Sequence, residues 1–298
     1  MGNRAVAAQR AGVPARPWGV GGSLAPGLLL VLPAVAVVLS LYAVPFLLSV
    51  YRAFLEPSGQ LGLASVRKAW ELYRRDVLFS AAIALASTLV TAPLSIALAA
   101  YLRMRSGPVA AAVNVLYRLP IFIPFVVVGQ MMTTFLAPHG LLNVGLAQLG
   151  LIDLDRPPEF FNWKGLIISF VWKLAPFMTL IVLGGFRMVE DTYIEAARSV
   201  GARPWEVVGA VLVPMSRTSI ATAAVLVFTQ VVGTFTLPYM LIGGKSPTTV
   251  TVDIAHRVTY FGDYGTANAL GLMMYVLTVV AALYYLRQSL RRSVYGYQ

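Results

Sequence analysis

The sequence predicts an all-α, polytopic membrane protein with six transmembrane helices, and three observations predict it. Of 298 residues, 58% are hydrophobic and only 12% are charged, against about 25% charged in an ordinary soluble domain. The mean hydropathy is +0.75. The apolar residues gather into six runs that meet the length a bilayer demands, about 20 helical residues for a hydrocarbon core about 30 Å thick. Cysteine is absent, which excludes disulfides and thiolate metal sites. Basic residues outnumber acidic ones, 23 to 12, but they stand in short clusters between the apolar runs. That is the pattern of membrane-helix flanks and not of a nucleic-acid-binding stripe.

Residues 1–17 are polar and carry Arg4, Arg10 and Arg16, and the apolar run behind them is too long for the core of a cleavable signal peptide. The sequence thus reads as one transmembrane domain spanning 1–298, with a cytoplasmic N-terminal tail over 1–24. Read from charge to charge, the six runs cover 25–50, 77–102, 110–136, 165–186, 219–242 and 265–286. Their interiors hold no carboxylate; the third contains Arg118 and the fourth Lys173. An even number of spans puts both termini on one side. With the termini inside, twelve basic residues lie on the cytoplasmic side and nine outside, a bias in the direction of the positive-inside rule.

Four of those nine lie in residues 62–76, where Leu63, Val66, Trp70 and Tyr73 recur at helical spacing opposite Arg67, Lys68, Glu71, Arg74 and Arg75. This pattern predicts either an amphipathic helix lying in the outer interface or a solvated loop helix packed on the spans. Residues 137–163, with Asp153, Asp155 and Glu159 beside Pro157 and Pro158, form an acidic, turn-rich outer connection, and 243–264 form another.

Several chemistries find no support. The sequence Gly243-Gly244-Lys245-Ser246 resembles the end of a phosphate-binding loop, but Tyr239 stands where its first glycine belongs and Pro247 follows at once. His139 and His256, the only histidines, have no ligand partner at helical spacing, so no metal site is expected. Apolar spans without carboxylates assemble no catalytic dyad or triad. An ion-coupled secondary carrier would use such carboxylates or broken helices, and a membrane enzyme would need titratable groups clustered at one depth. Among the polar residues of the spans, Gln130, Lys173, Thr229, Gln230 and Thr234 are candidates to line a solute path. Lys173 either faces that path or pairs with helix carbonyls and headgroups.

Between the fourth and fifth runs lies a loop, 187–217, that mixes charge with small residues. Asp191 or Thr192 suits a helix start, Glu195 its first turn, and Gly201 a left-handed stop. Pro204 suits the first position of a second helix, and Pro214 its end. Tyr193, Ala197 and Val200 share one face, and Ala196 and Ala197 let a partner approach the backbone. The outcome is an exposed helix-turn-helix suited to docking.

The segment "EAARSVGARPWEVVGAVLVP" resembles the Glu-Ala-Ala signature of permease subunits of binding-protein-dependent ATP-binding cassette importers, with Glu195, Ala196, Ala197, Gly201, Leu212 and Pro214 at the signature positions. "YRLPIFIP" over 117–124 and "GLLN" over 140–143 extend the likeness. The resemblance implies a type I importer permease in a prokaryotic inner membrane, with both termini cytoplasmic. It implies a coupling helix at about 191–201 that docks, with Tyr193, Glu195, Ala196, Ala197, Val200, Gly201 and Pro214, onto a cytoplasmic ATPase. Its partners would be a second, homologous permease, two ATP-binding subunits and an extracytoplasmic substrate-binding protein. The chain itself would hold no cofactor and no ATPase site, ATP-Mg being bound by the ATPase partners. For the solute, Val200 before the signature glycine is similar to the polyamine and phosphonate branches, whereas "YRLPIFIP" and "WKLAPF" look sugar-like.

Overall fold

A computed structural model of the chain describes residues 24–56 and 59–293; the expected tail, apart from Leu24, lies outside the described residues. The elements described are helices, and the β pairing recorded among them is the isolated bridge between Leu55 and Leu61. The chain divides after Leu48 into two compact units. Helix α1 (Leu24–Val38) continues through a π-helical turn (Leu39–Ala43) into α2 (Val44–Phe54). The Val44 N–H reaches back five residues to the Leu39 carbonyl, one residue before Pro45. Proline has no N–H to give and its ring crowds the preceding turn, so the hydrogen-bond ladder widens ahead of it.

The second unit is built on α3 (Ala64–Met104) and α8 (Trp163–Arg187), which share its largest interface. The segment expected to lie in the interface or to pack as a separate loop helix is neither. Residues 64–76 are the opening turns of α3, which has no glycine and runs unbroken through Pro93. At about 1.5 Å per residue it is roughly 60 Å long, about twice the hydrocarbon thickness. Its continuity makes the first turns a projection along the span. Arg67 and Glu71 pair on its exposed side at 3.4 Å, while Ala69 is fully buried.

Helix α8 is central. Leu166, Phe170, Leu174, Met178, Val182 and Phe186 recur every four residues and are all buried, forming one stripe of the helix. The face that α3 buries is made of small residues, including Ser80, Ala84, Ser87, Thr91, Ser95 and Ala99. Ser95 donates across to the Ala175 carbonyl of α8 at 3.1 Å, and Thr88 and Thr91 donate to carbonyls one turn back in α3.

Two of the six runs are not single rods. The third comprises α4 (Pro108–Leu116), α5 (Leu119–Phe122) and α6 (Phe125–Phe135), with a 104° bend between 108–122 and 125–135. Pro124 cannot continue the ladder, and Ile123 before it is extended, as a residue preceding proline prefers. The fifth comprises α12 (Arg217–Gly233) and, after an extended Thr234, α13 (Thr236–Ile242). Four described helices are long and apolar enough to cross a bilayer, and up to six spans result if 108–122 with 125–135, and 204–215 with 217–233, each count as one bent span. Helix α7 (Leu141–Gln148) lies in the connection to α8, and α14 (Val250–Phe261) precedes the last span, α15 (Tyr264–Ser293).

The segment before α15 is fastened to the first half of α3. Asp76 accepts from the Thr248 N–H at 2.9 Å, Ser80 accepts from the Val250 N–H at 2.9 Å, and Lys68 meets Asp263 at 2.6 Å. Asp263 caps α15 by accepting from the Thr266 N–H at 3.0 Å. Although burial pushes the Asp263 pKa upward, the hydrogen bonds from Lys68 and Thr266 hold it below the usual carboxylate range.

Asp253 on α14 is different: it is 6% exposed and its Oδ2 has no hydrogen-bond partner. Burial first, then the neighbouring Asp76, raise its pKa to about 7, against an opposite pull from Arg257. A carboxyl whose folded pKa lies above its unfolded value contributes its full stability below the unfolded pKa and loses it as pH rises through the folded one. The solubilised protein is therefore expected to lose thermal stability as pH rises from about 4 through about 7. Asp253→Asn should remove that slope, and an unchanged slope in melting curves of the variant would place its origin elsewhere.

Candidate functional site

The loop 187–217 folds into α9 (Asp191–Ser199), α10 (Pro204–Val207), a second π-helical turn (Val208–Leu212) and α11 (Val213–Met215). At the end of α9, Gly201 adopts φ +84°. The Gly201 N–H donates to the Arg198 carbonyl at 2.9 Å and the Ala202 N–H to the Ala197 carbonyl at 3.1 Å. These paired bonds, three and five residues back, close the helix with a left-handed glycine.

The start of α9 departs from expectation. Glu190 is the cap residue and no side chain caps the helix. Asp191 is the acidic residue of the first turn, and Glu195 lies one turn further in, away from the strongest part of the helix dipole. The Asp191 carboxylate turns instead to Arg103 at 2.6 Å.

Pro204 opens α10, and Glu206 accepts from the Arg203 N–H at 2.6 Å. Pro214 does not end this helix. As at Pro45, a π-helical turn precedes the proline, here with the Val213 N–H reaching the Val208 carbonyl. The helix ends one residue later, at Met215, and the chain then bends by 79° into α12.

Outward from this loop stand Tyr193, Glu195, Ala196 and Val200, with Ala197 half-buried and Ile194 buried. Exposure reaches 84% at Val200, 85% at Met188 and 64% at Trp205. Met188 carries no signal in the spacing argument, because an apolar residue beside a membrane run reads as part of that run, and Trp205 lies on the second helix of the loop, beyond the face that Tyr193, Ala197 and Val200 share on the first.

Of the polar residues of the spans, the structure brings two together. Lys173 and Gln230 line one cavity of about 310 Å³ with Phe122, Pro124, Phe125, Leu174 and Phe177. The Lys173 ammonium donates to the carbonyls of Pro120, Ile121 and Ile123 at 2.7, 3.3 and 2.5 Å and sits 5.2 Å from the Phe125 ring centre. The break between α5 and α6 frees backbone carbonyls from helical partners, and the lysine supplies the donors that lipid cannot. Gln130, Thr229 and Thr234 do not line this cavity. Thr234 donates to the Gln230 carbonyl at 2.6 Å, and its own carbonyl accepts from Thr251 at 3.0 Å, joining the fifth span to α14. Among the described residues no cluster of three or more metal-ligating side chains occurs.

With this geometry in view, the comparisons with known proteins are specific. A model of the family "Binding-protein-dependent transport system inner membrane component" matches residues 91–293. The molybdenum transport system permease protein ModB of Azotobacter vinelandii is 30% identical over 178 residues, 58% of this chain and 76% of that protein. The trehalose/maltose transport system permease protein MalF of Thermococcus litoralis is 27% identical over 286 residues, 88% of this chain and 92% of that protein. Among solved structures, a bacterial ABC transporter that imports the acidic polysaccharide alginate superposes with a TM-score of 0.73 at 22% identity, covering 90% of this chain and 97% of that one.

Proposed function

Because the chain belongs to the family of binding-protein-dependent transport system inner membrane components, and is the permease subunit of an ATP-binding cassette importer, we propose that residues 187–217 are the point at which it is driven. The observation that carries this reading is a short helix closed by Gly201 that turns Tyr193, Glu195, Ala196 and Val200 outward. Outside the apolar runs, where lipid does not cover it, an exposed surface of small and apolar side chains with one carboxylate suits a protein partner. The partner is a cytoplasmic ATPase subunit, one of two, which holds ATP-Mg and performs the hydrolysis. A second, homologous permease completes the path, and an extracytoplasmic binding protein delivers the solute. Both termini and this loop face the cytoplasm, and the importer lies in a prokaryotic inner membrane.

For the solute we favour a sugar-like compound over a polyamine. The cavity offers an ammonium, an amide and three phenyl rings, and its lining has no carboxylate. Aromatic faces suit the apolar faces of a sugar ring, and a fixed cation repels a polycation. Relatives that match this chain include permeases of trehalose/maltose, sulfoquinovosyl glycerol and spermidine/putrescine systems.

The absence of cysteine makes the test direct. Val200→Cys places a single thiol at a position that is 84% exposed. A membrane-impermeant maleimide is expected to label it in inside-out vesicles and not in intact spheroplasts, and assembly with the ATPase should protect it. Labelling of spheroplasts would overturn the orientation, and equal labelling with and without the ATPase would overturn the docking.

A further inference from the structure

Arg103 stands one residue from the end of α3, where it reads as an ordinary basic flank of a span. Its side chain is only 15% exposed. Nε donates to the Phe186 carbonyl at 2.9 Å, and one terminal nitrogen donates to the Val189 carbonyl at 2.8 Å and to Asp191 Oδ1 at 2.6 Å. Those acceptors belong in turn to the last turn of α8, to the connection after it and to the first residue of α9. An isolated ion pair on a surface contributes little. Here the planar guanidinium is fixed by two backbone carbonyls as well, and only arginine presents its donors in that rigid fork.

We propose that Arg103 is a positioning residue that makes α3 move together with α9, so that a displacement of the docking helix reaches two spans rather than one. Chain connectivity alone ties α9 to α8. Arg103 adds α3, whose far half holds Thr248 through Asp76, Val250 through Ser80 and Asp263 through Lys68. Movement at the ATPase face is thereby delivered along one continuous helix to the segment on the opposite side of the membrane. The inference rests on the reading of residues 187–217 as the driven element.

The test uses the complete importer reconstituted in liposomes, with both permeases, the ATPase and the loaded binding protein. Arg103→Ala is expected to leave the complex assembled and the KM for ATP unchanged. The binding-protein-stimulated kcat and the uptake should both fall, by about tenfold or more, the range of a typical coupling free energy. Arg103→Lys keeps the charge without the fork and should recover only part of the loss. A purely structural role would lower the yield of complex and leave turnover per complex intact. Should Arg103→Ala fail to assemble, Asp191→Ala removes one arm of the clamp at an exposed position and should lower stimulated kcat by a smaller factor. Gly201→Val serves as the reference: if it uncouples the complex while the Arg103 and Asp191 variants transport as wild type, the role of Arg103 is overturned alone. If none of these variants changes coupling, the reading of the loop falls with it.

Discussion

Replacing Gly201 by valine is expected to abolish uptake and binding-protein-stimulated ATP hydrolysis while leaving an inserted, extractable permease. Gly201 holds φ +84°, and a Cβ added there would meet nothing within 4 Å. Steric collision is therefore absent, and the whole penalty falls on the backbone. A non-glycine residue in the left-handed region costs on the order of 1–3 kcal/mol, with a β-branched one at the upper end. Relaxing toward negative φ would break the closing bonds to Arg198 and Ala197 and re-aim α9. The membrane core, centred on α8, is untouched by that change. Stimulated ATPase activity of the reconstituted complex is the measurement. Wild-type values for both activities would mean that α9 does not carry the drive.

The second large effect is expected from Lys173→Met. Methionine keeps the flexible, unbranched chain, one heavy atom shorter, and removes three donors at once. The carbonyls of Ile121 and Ile123 would then lose the lysine's donor in an apolar surrounding, at a cost of about 1–3 kcal/mol for each buried acceptor left unsatisfied, not simply additive, while the Pro120 carbonyl keeps the Ile123 N–H at 3.3 Å. The bend between α5 and α6 should loosen, and the cavity beside it lose its charge and part of its shape. Uptake per folded permease should fall at least about tenfold, together with a lower melting temperature in detergent. Normal melting with impaired uptake would assign the lysine to the solute path alone. Normal values for both would remove it from the bend and from the path.

The all-α membrane architecture and the glycine stop of α9 were legible because each rests on a local cause: run length for the spans, missing Cβ for the stop. What lay outside the sequence was set by tertiary partners. Hydropathy alone does not say that residues 64–76 continue the second span, since the same amphipathic pattern suits a helix lying flat. The difference is made by Ala69, buried without remainder, and by Asp76, which binds Thr248 from far along the chain. The breaks at Ile123 and Thr234 fall within runs whose hydropathy gives no sign of a boundary there, and Pro124 marked only the first. Asp191 looked like a cap until Arg103, nearly ninety residues earlier, claimed its carboxylate.

The face that α3 buries is mostly serine, threonine and alanine, while Leu78, Leu85 and Leu89 on other faces are 63%, 54% and 63% exposed. In water such a helix would be inside out. In lipid, a leucine gains nothing by turning inward, and contact between helices depends on close backbone approach, which small residues permit. The two faces of α3 are therefore under different evolutionary pressure. The outward leucines are interchangeable with any residue that hydrocarbon tolerates, whereas the inward positions are limited by volume regardless of polarity. Across relatives of this permease, the side of α3 that drifts most freely should be its greasiest one, and the hydroxyl-bearing side should keep its size long after its chemistry has changed.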